Sequence, residues 1–428
     1  MKIHVTPLVS LADQKIEISV SGLQTGGRVT LRASMRLPWT KTALFESMAE
    51  FIADENGCVD LEKQAPVSDD YLTAGSMGLI TSMKLVSGKL NEVGANISVD
   101  SSIFIDITAE YRAEKADVKI ERLFMSPGVK TEMITEPFVG AFFYSENPNN
   151  KTVLLLGGSS GKLCFTLPYA SLLASHGFNV LNVAYFSEPG LPKELVGIPL
   201  EYFDGVFDWL AGNQYTKGKD LYLHCMSKGG ELGLLLASMH PSIKKVAAIA
   251  PHAYCFQGTS FTKTSSSWNL HGKPLPYIPM KISGLVGNMI DCVIKNKPFG
   301  YAQTYVKGLE KASIETKANA RIRVENAKAD LLLFSSKQNN MWNTYDGCVE
   351  IVNALNKADY PYKVEHITYE TAGEPFYAPY ILPYEVYCPI KIAPRLTFVS
   401  GGTPQGNTEA QIDSWEKMLC FFSSEKQR

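Results

Sequence analysis

Apolar and polar residues alternate with a period of two along much of the first third of the chain. Ile16, Ile18 and Val20 share one side of the segment 15–20, and Val29, Leu31 and Ala33 one side of 28–33. Successive strand side chains point to opposite faces, so each run predicts a half-buried strand. Similar short runs recur at 44–52, 95–99, 103–108 and 118–124, with turn residues at Gly22, Gly26-Gly27 and Asn56-Gly57. Strands of this length between turns predict an antiparallel, Ig-like β-sandwich. The region carries no cluster of titratable residues, and its expected role is packing or gating.

Near Glu121 the pattern changes. Met125-Ser126-Pro127-Gly128 predicts a turn, 139–144 a strand and Asn147-Pro148-Asn149-Asn150 a polar turn. Residues 153–156 are continuously apolar, as in a strand buried on both faces of a parallel sheet. A helix over 170–176, a strand over 180–184, a helix over 200–210 and a strand over 246–250 follow the same logic. Buried strands alternating with helices predict a doubly wound α/β sheet. The expected organisation is a sandwich domain over 1–117 and an α/β domain over 118–428.

Within the second half, Leu221, Leu223 and Cys225 alternate up to Ser227, two glycines follow, and Leu232, Leu235 and Leu236 recur at helical spacing. Strand, tight turn and helix in that order make a nucleophile elbow, which lifts a serine Oγ clear of the sheet. The usual pattern is G-x-S-x-G; here it is Cys225-Met226-Ser227-Lys228-Gly229, and a serine in an ordinary strand-to-helix turn is the competing reading. Cys225, two residues earlier, should point into the sheet as core. The loop Gly157-Gly158-Ser159-Ser160-Gly161 lacks both G-x-G-x-x-G and G-K-[ST], which argues against a nucleotide site. It reads either as a simple tight turn or, in an α/β-hydrolase, as the oxyanion loop, with Ser159 and Lys228 supplying the two backbone N–H groups.

Composition narrows the function classes. The chain has 428 residues, 45% of them hydrophobic, and a net charge of -2. Basic residues cluster no further than Lys244-Lys245, which disfavours nucleic acid or anionic lipid as a partner. No run approaches the roughly 18 apolar residues of a membrane span. The eight cysteines show no C-x-x-C pair and no histidine at metal-ligand spacing, a pattern of reduced thiols without a bound metal. With a strand-like start at Met1-Lys2-Ile3 and a terminal Lys-Gln-Arg in place of a peroxisomal signal, an intracellular, cytoplasmic location is expected.

Several stretches resemble the family of acyl-CoA thioesterases and bile acid-CoA:amino acid N-acyltransferases. They include Val29-Thr30-Leu31-Arg32-Ala33, Ala53-Asp54-Glu55-Asn56-Gly57-Cys58-Val59-Asp60-Leu61, Ser76-Met77-Gly78-Leu79, Tyr169-Ala170-Ser171-Leu172-Leu173-Ala174, Leu200-Glu201-Tyr202-Phe203 and Ser227-Lys228-Gly229-Gly230-Glu231-Leu232-Gly233. The similarity runs in order along nearly the whole chain. It implies a β-sandwich followed by an α/β-hydrolase domain, a fatty-acyl-CoA as substrate with no further cofactor, and Ser227 at the position of the family's Ser or Cys nucleophile.

The other two members of the family's catalytic set are replaced. After the strand at 330–334 the family carries an acid shortly before Trp; this chain has Gln338-Asn339-Asn340-Met341-Trp342, so Asn339 or Gln338 occupies that place. The family's histidine closes a Pro-Gly-Ala-Gly-His loop, matched here by Thr371-Ala372-Gly373-Glu374 and then Ala378-Pro379-Tyr380. Loss of a triad member commonly costs on the order of 10⁴ to 10⁶ in rate. A desolvated carboxylate can nonetheless act as general base, and an amide can orient it without charge repulsion. A thiol of pKa about 8.5 also leaves with little protonation. Two readings stand: an acyl-CoA thioesterase or acyltransferase working through Ser227, Glu374 and Asn339, and a non-catalytic relative that binds acyl-CoA or serves as an interaction protein. Of the histidines, His224 and His366 lie inside strands and read as buried, hydrogen-bonded residues. His176 and His240 sit at helix ends, and His252, just past a sheet strand, is the one placed at an edge where α/β sites form.

Overall fold

The computed structural model describes residues 1–67, 71, 73–89, 97–145, 149, 151–260, 263–280, 282–374, 378–384 and 390–424, apart from the side chains of 281–284 and 390–393. The chain divides into two compact units, Met1–Pro127 with Ala378–Cys388, and Gly128–Tyr377 with Pro389–Arg428.

The first unit is a β-sandwich of two sheets. One has six strands in the order Val9–Leu11, Glu114–Leu123, Ile103–Tyr111, Arg28–Arg36, Leu44–Ile52 and Lys84–Ser87; the other has three, Lys2–Thr6, Glu17–Ser21 and Val59–Asp60. Alternation along the central strand buries Val29, Leu31, Ala33 and Met35 on one face. One pairing departs from the antiparallel expectation, since Val9–Leu11 runs parallel to Glu121–Leu123. Beside it the Arg122 guanidinium is buried, donating to Ser10 Oγ at 2.5 Å and to the carbonyls of Ala12 at 2.7 Å and Gln14 at 2.5 Å. Desolvation lowers its pKa to about 10, against the pull of Asp13. The boundary expected after residue 117 falls inside the strand Glu114–Leu123, which pairs along its length with Ile103–Tyr111, so the unit continues to Pro127. The strand expected at 95–99 lies partly outside the described residues, and its described part is not a strand; of the turn expected at 147–150 only Asn149 is described.

The second unit is built on eight strands: β1 (Val129–Ile134), β2 (Val139–Ser145), β3 (Lys151–Leu156), β4 (Asn179–Ala184), β5 (Asp220–Met226), β6 (Ile243–Ile249), β7 (Asp330–Ser336) and β8 (Val364–Tyr369). Their order across the sheet is β1-β2-β4-β3-β5-β6-β7-β8. The first two pairings are antiparallel and the rest parallel. Strands β3 and β4 are buried nearly throughout, as the apolar run Val153–Leu156 requires when helices cover both faces; in β4 the buried Asn182 Oδ1 accepts from Thr166 Oγ1 at 2.9 Å and Asn179 Nδ2 donates to Tyr215 O at 2.7 Å. This is an α/β-hydrolase sheet with the elbow on its central strand β5. The segment between β6 and β7, whose pattern predicts little, supplies the helices Ile282–Lys295, Ala302–Lys311 and Ile314–Ala320. Among the described residues no helix is long and apolar enough to cross a membrane.

Candidate active site

Strand β5 delivers Ser227 to the carboxyl edge of the sheet. Its backbone, at φ 53° and ψ −124°, lies in a region that L-residues seldom adopt. The strain is held by neighbours on both sides. Ser227 N donates to Ile249 O at 2.8 Å, and Gly230 N donates back to Ser227 O at 2.8 Å, starting the helix Lys228–Met239. At Gly229 a Cβ would collide with the carbonyl of Gly157, so glycine there lets the loop after β3 pack on the elbow. In that loop a Cβ on Gly158 would stand 3.1 Å from Ser227 Cβ, while Ser159 is exposed. Tyr185 Oη fastens the loop from behind, donating to Gly157 O at 2.6 Å.

An ion pair is buried under the turn. Lys228 Nζ lies 2.6 Å from Glu231 Oε2, with both side chains sealed from solvent. The other carboxylate oxygen accepts from Trp268 Nε1 at 2.6 Å and from Phe256 N at 3.2 Å. Burial raises the Glu231 pKa, opposed by Lys228 and the two N–H donors. Removing one partner of such a pair leaves an uncompensated charge and costs about 3–5 kcal/mol.

The surroundings of Glu374 are assembled from three segments far apart in sequence. Residues 338–340 and 371–374 are each stitched to 400–403: Asn340 N and Glu374 N both donate to Ser400 O, at 3.1 and 3.2 Å, and Thr403 N donates to Thr371 O at 2.8 Å. Asn407, fully buried on the helix Pro404–Ser423, ties the segments with one carboxamide, accepting from Gly373 N at 2.7 Å and donating to Gly401 O at 3.1 Å. Gly401 has φ 94°, and a Cβ there would overlap the Gln338 carbonyl. Only glycine fits this crossing.

These contacts bring Ser227, Glu374 and Asn339 together. Glu374 is half-buried, and desolvation of its carboxyl pushes the pKa up to about 7; hydrogen bonding from Ser227 and then from Asn339 pulls the other way by favouring the charged form. Glu374 Oε2 and Asn339 Nδ2 are both buried without a well-aligned hydrogen-bond partner. Asn339 Oδ1 is occupied, accepting from Met341 N at 2.7 Å and Trp342 N at 3.3 Å, which leaves the amide nitrogen for Glu374. Gln338, the alternative for the acid's place, is exposed.

The histidines are elsewhere. His224 is buried with Nδ1 3.0 Å from Ala247 O, and desolvation lowers its pKa to about 4. His366 is half-buried, with Nε2 2.7 Å from Ser335 Oγ. His176 and His240 stand at the ends of helices; His240 stacks on Phe207 at 3.9 Å, and burial lowers its pKa. His252 is sealed among the rings of Tyr254, Phe256 and Trp342. Its pKa is depressed to about 3, chiefly by desolvation, and neither ring nitrogen has a well-aligned partner. Burial keeps its ring neutral. Cys225 is fully buried, as its place in the strand predicts.

Two aromatic residues complete the surroundings. Tyr305 and Trp342 pack together with ring centroids 5.5 Å apart. Tyr305 is buried close enough to Glu231 and Glu374 for their charges to add to the desolvation that raises its phenol pKa. Beside the cluster, with Asn339 in its wall, opens a cleft of about 490 Å³. Among the described residues no group of three or more His, Cys, Asp or Glu could hold a metal ion.

Residues 13–136 match the acyl-CoA thioester hydrolase/BAAT N-terminal region, and residues 198–427 match the BAAT/acyl-CoA thioester hydrolase C-terminal family. The chain is 27% identical to human acyl-coenzyme A thioesterase 6 over 418 residues, 96% of this chain and 93% of that protein. It is 32% identical to mouse acyl-coenzyme A amino acid N-acyltransferase 1 over 273 residues, 61% of this chain and 63% of that protein. Among solved structures it is similar to MGS-M1, an alpha/beta hydrolase enzyme from a deep-sea metagenome library, at 14% identity and a TM-score of 0.40, covering 69% of this chain and 97% of that one.

Proposed function

Because this chain belongs to the acyl-CoA thioester hydrolase/BAAT family, we propose that it cleaves the thioester of a fatty-acyl-CoA, with Ser227 as nucleophile, Glu374 as general base and Asn339 orienting Glu374. The observation that carries this reading is the convergence of the three side chains around a carboxyl with a pKa of about 7. A general base works best when its pKa lies near the working pH. At neutral pH about half of the Glu374 side chains are ionised, compared with almost all of an ordinary glutamate.

In the proposed cycle the Ser227 Oγ–H proton passes to the Glu374 carboxylate as Oγ attacks the thioester carbonyl. The oxyanion that forms is met by the backbone N–H of Lys228 and a second N–H from the loop 157–161, with Ser159 as the candidate donor. Collapse breaks the C–S bond, and the thiolate leaves with the proton from Glu374. The acyl-serine is then opened by water, or by an amine, whose proton Glu374 takes and returns to Ser227 Oγ. Asn339 supports the carboxylate from its amide side without the repulsion that aspartate would add there.

The test is release of free CoA thiol from a long-chain acyl-CoA by the purified protein, beside Ser227→Ala and Glu374→Gln. Release that disappears in both variants supports the reading. Release unchanged in Glu374→Gln overturns the base assignment. Acyl-CoA binding without release favours the second reading, a non-catalytic binder, for which the loss of both His and Asp from the family's catalytic set speaks.

A further inference from the structure

The cleft beside Asn339 has an unusual lining. Six of its side chains are carboxamides, Asn288, Gln303, Gln338, Asn339, Asn340 and Asn343. Its charged members are engaged: Lys337 Nζ lies 2.8 Å from Glu370, and Asp346 accepts from Asn343 Nδ2 at 3.4 Å. Among the described residues, no hydrogen bond occupies the side chains of Gln303, Gln338 or Asn340. At about 490 Å³ the cleft has the size of a small-molecule site.

Each carboxamide offers an N–H₂ donor and a carbonyl acceptor on one neutral group. A wall of them suits a ligand that repeats the same two functions without net charge. Such a wall does not suit an acyl chain, which would leave the amides unpaired, at a cost of about 1–3 kcal/mol for each group fully buried. Nor does it suit a phosphate, for which no uncommitted cation stands in the cleft. An acyl-CoA contains one segment with the required chemistry. The pantetheine arm between thioester and nucleotide is neutral, flexible, and carries two secondary amides and a hydroxyl. Asn339 fixes the direction, because it both lines the cleft and faces Glu374.

We infer that this carboxamide-lined cleft binds the pantetheine arm of the substrate, with the thioester end at Asn339 and the nucleotide end toward the exposed rim at Gln303. The inference rests on the proposed acyl-CoA substrate, and it assigns specificity to residues outside the catalytic cluster.

Calorimetric titration of the full-length protein with CoA, with pantetheine and with the adenosine bisphosphate half of CoA tests it. Wild type should bind CoA and pantetheine. Gln303→Leu with Asn340→Leu should weaken both by about tenfold, the loss of one or two hydrogen bonds, and leave binding of the nucleotide half unchanged. Gln303→Leu alone, at an exposed position, guards against misfolding and should weaken pantetheine a few-fold, and Asn340→Gln should retain most of the wild-type affinity. Wild type that fails to bind pantetheine, or a double variant that binds it as wild type does, overturns the inference. The outcomes separate from those of the proposed function: a protein that binds pantetheine through these residues yet releases no thiol keeps the cleft assignment and loses the thioesterase reading. Thiol release whose KM for acyl-CoA is unmoved in the double variant does the reverse.

Discussion

The turn that carries Ser227 and the loop that carries Glu374 are held in different ways. The elbow is local: strand, strained serine and helix occupy consecutive residues, and the strain is borne by the central strand of the sheet, by Ile249 O and by the glycines facing the loop after β3. Among the described residues the Glu374 loop has no strand of its own; 338–340 and 400–403 bond to it, Ser336 Oγ donates to Gly373 O at 2.6 Å, and Asn407 clips it. One half of the site is fixed by the sheet, the other by cross-links between loops. In the proposed mechanism, a rigid nucleophile with a separately braced base would let the base change identity while the elbow stays intact.

Substitutions that separate the two halves should differ in size. Ser227→Ala removes the nucleophile and should lower thiol release by about 10⁴ to 10⁶ with the melting temperature unchanged. Glu374→Gln keeps the shape and removes the base, and should cost about 10² to 10⁴ in kcat. The same residue sets a pH profile. As a base it must be ionised, so kcat should rise with pH through about 7 and level off above it. Its effect on stability has the opposite sense. A carboxyl raised to about 7 in the folded state, from an ordinary value near 4.5, binds its proton more tightly when folded. Stability is therefore fully present below pH 4.5 and is lost as pH rises toward 7, and Glu374→Gln should stabilise the protein at pH 8 by about 3 kcal/mol while changing little at pH 4. Urea unfolding at the two pH values measures the difference, and equal midpoint shifts at both would contradict a desolvated Glu374.

The loop bracing gives the next effect. Asn407→Ala should cost about 1–3 kcal/mol of stability, since it leaves Gly373 N and Gly401 O unpaired in a buried place. It should lower kcat by misplacing Glu374, with the far-ultraviolet circular dichroism unchanged. Asn339→Ala should have the smallest effect, a few-fold loss in kcat with the pH midpoint moved upward, because a donor that favours the charged carboxylate is gone. A downward movement would assign Asn339 a different role.

What could be read from the sequence follows the same division. The elbow was legible because a period of two gives way to helical spacing within one short stretch, with Ser227 and two glycines at the change. The sheet around it is legible in the continuously apolar run 153–156 and in the alternation of strand and helix patterns. Glu374 and Asn339 were found by resemblance of the surrounding residues, and nothing in their own spacing ties 339 to 374. Asn407 could not be found, since a polar residue in the first turns of a helix reads as a solvated position. Tyr305 lies in a segment of mixed periodicity, where an aromatic residue signals burial without saying beside what, whereas Trp342 is the landmark that places Asn339. The boundary near residue 117 was misplaced because alternation along Glu114–Leu123 leaves most of its first half solvent-facing and weakly patterned, although the strand is hydrogen-bonded throughout.

Asn407 also links events in time. Its carboxamide protects the Gly373 amide and holds Gly401, and it does so from the first turns of the helix Pro404–Ser423. The amides of Gly373 and Glu374 then exchange with solvent water only in openings that also release the start of that helix or break its clip. Protection in the loop should rise and fall together with protection in the helix's first turns, which makes the Glu374 loop and that helix one cooperative unit.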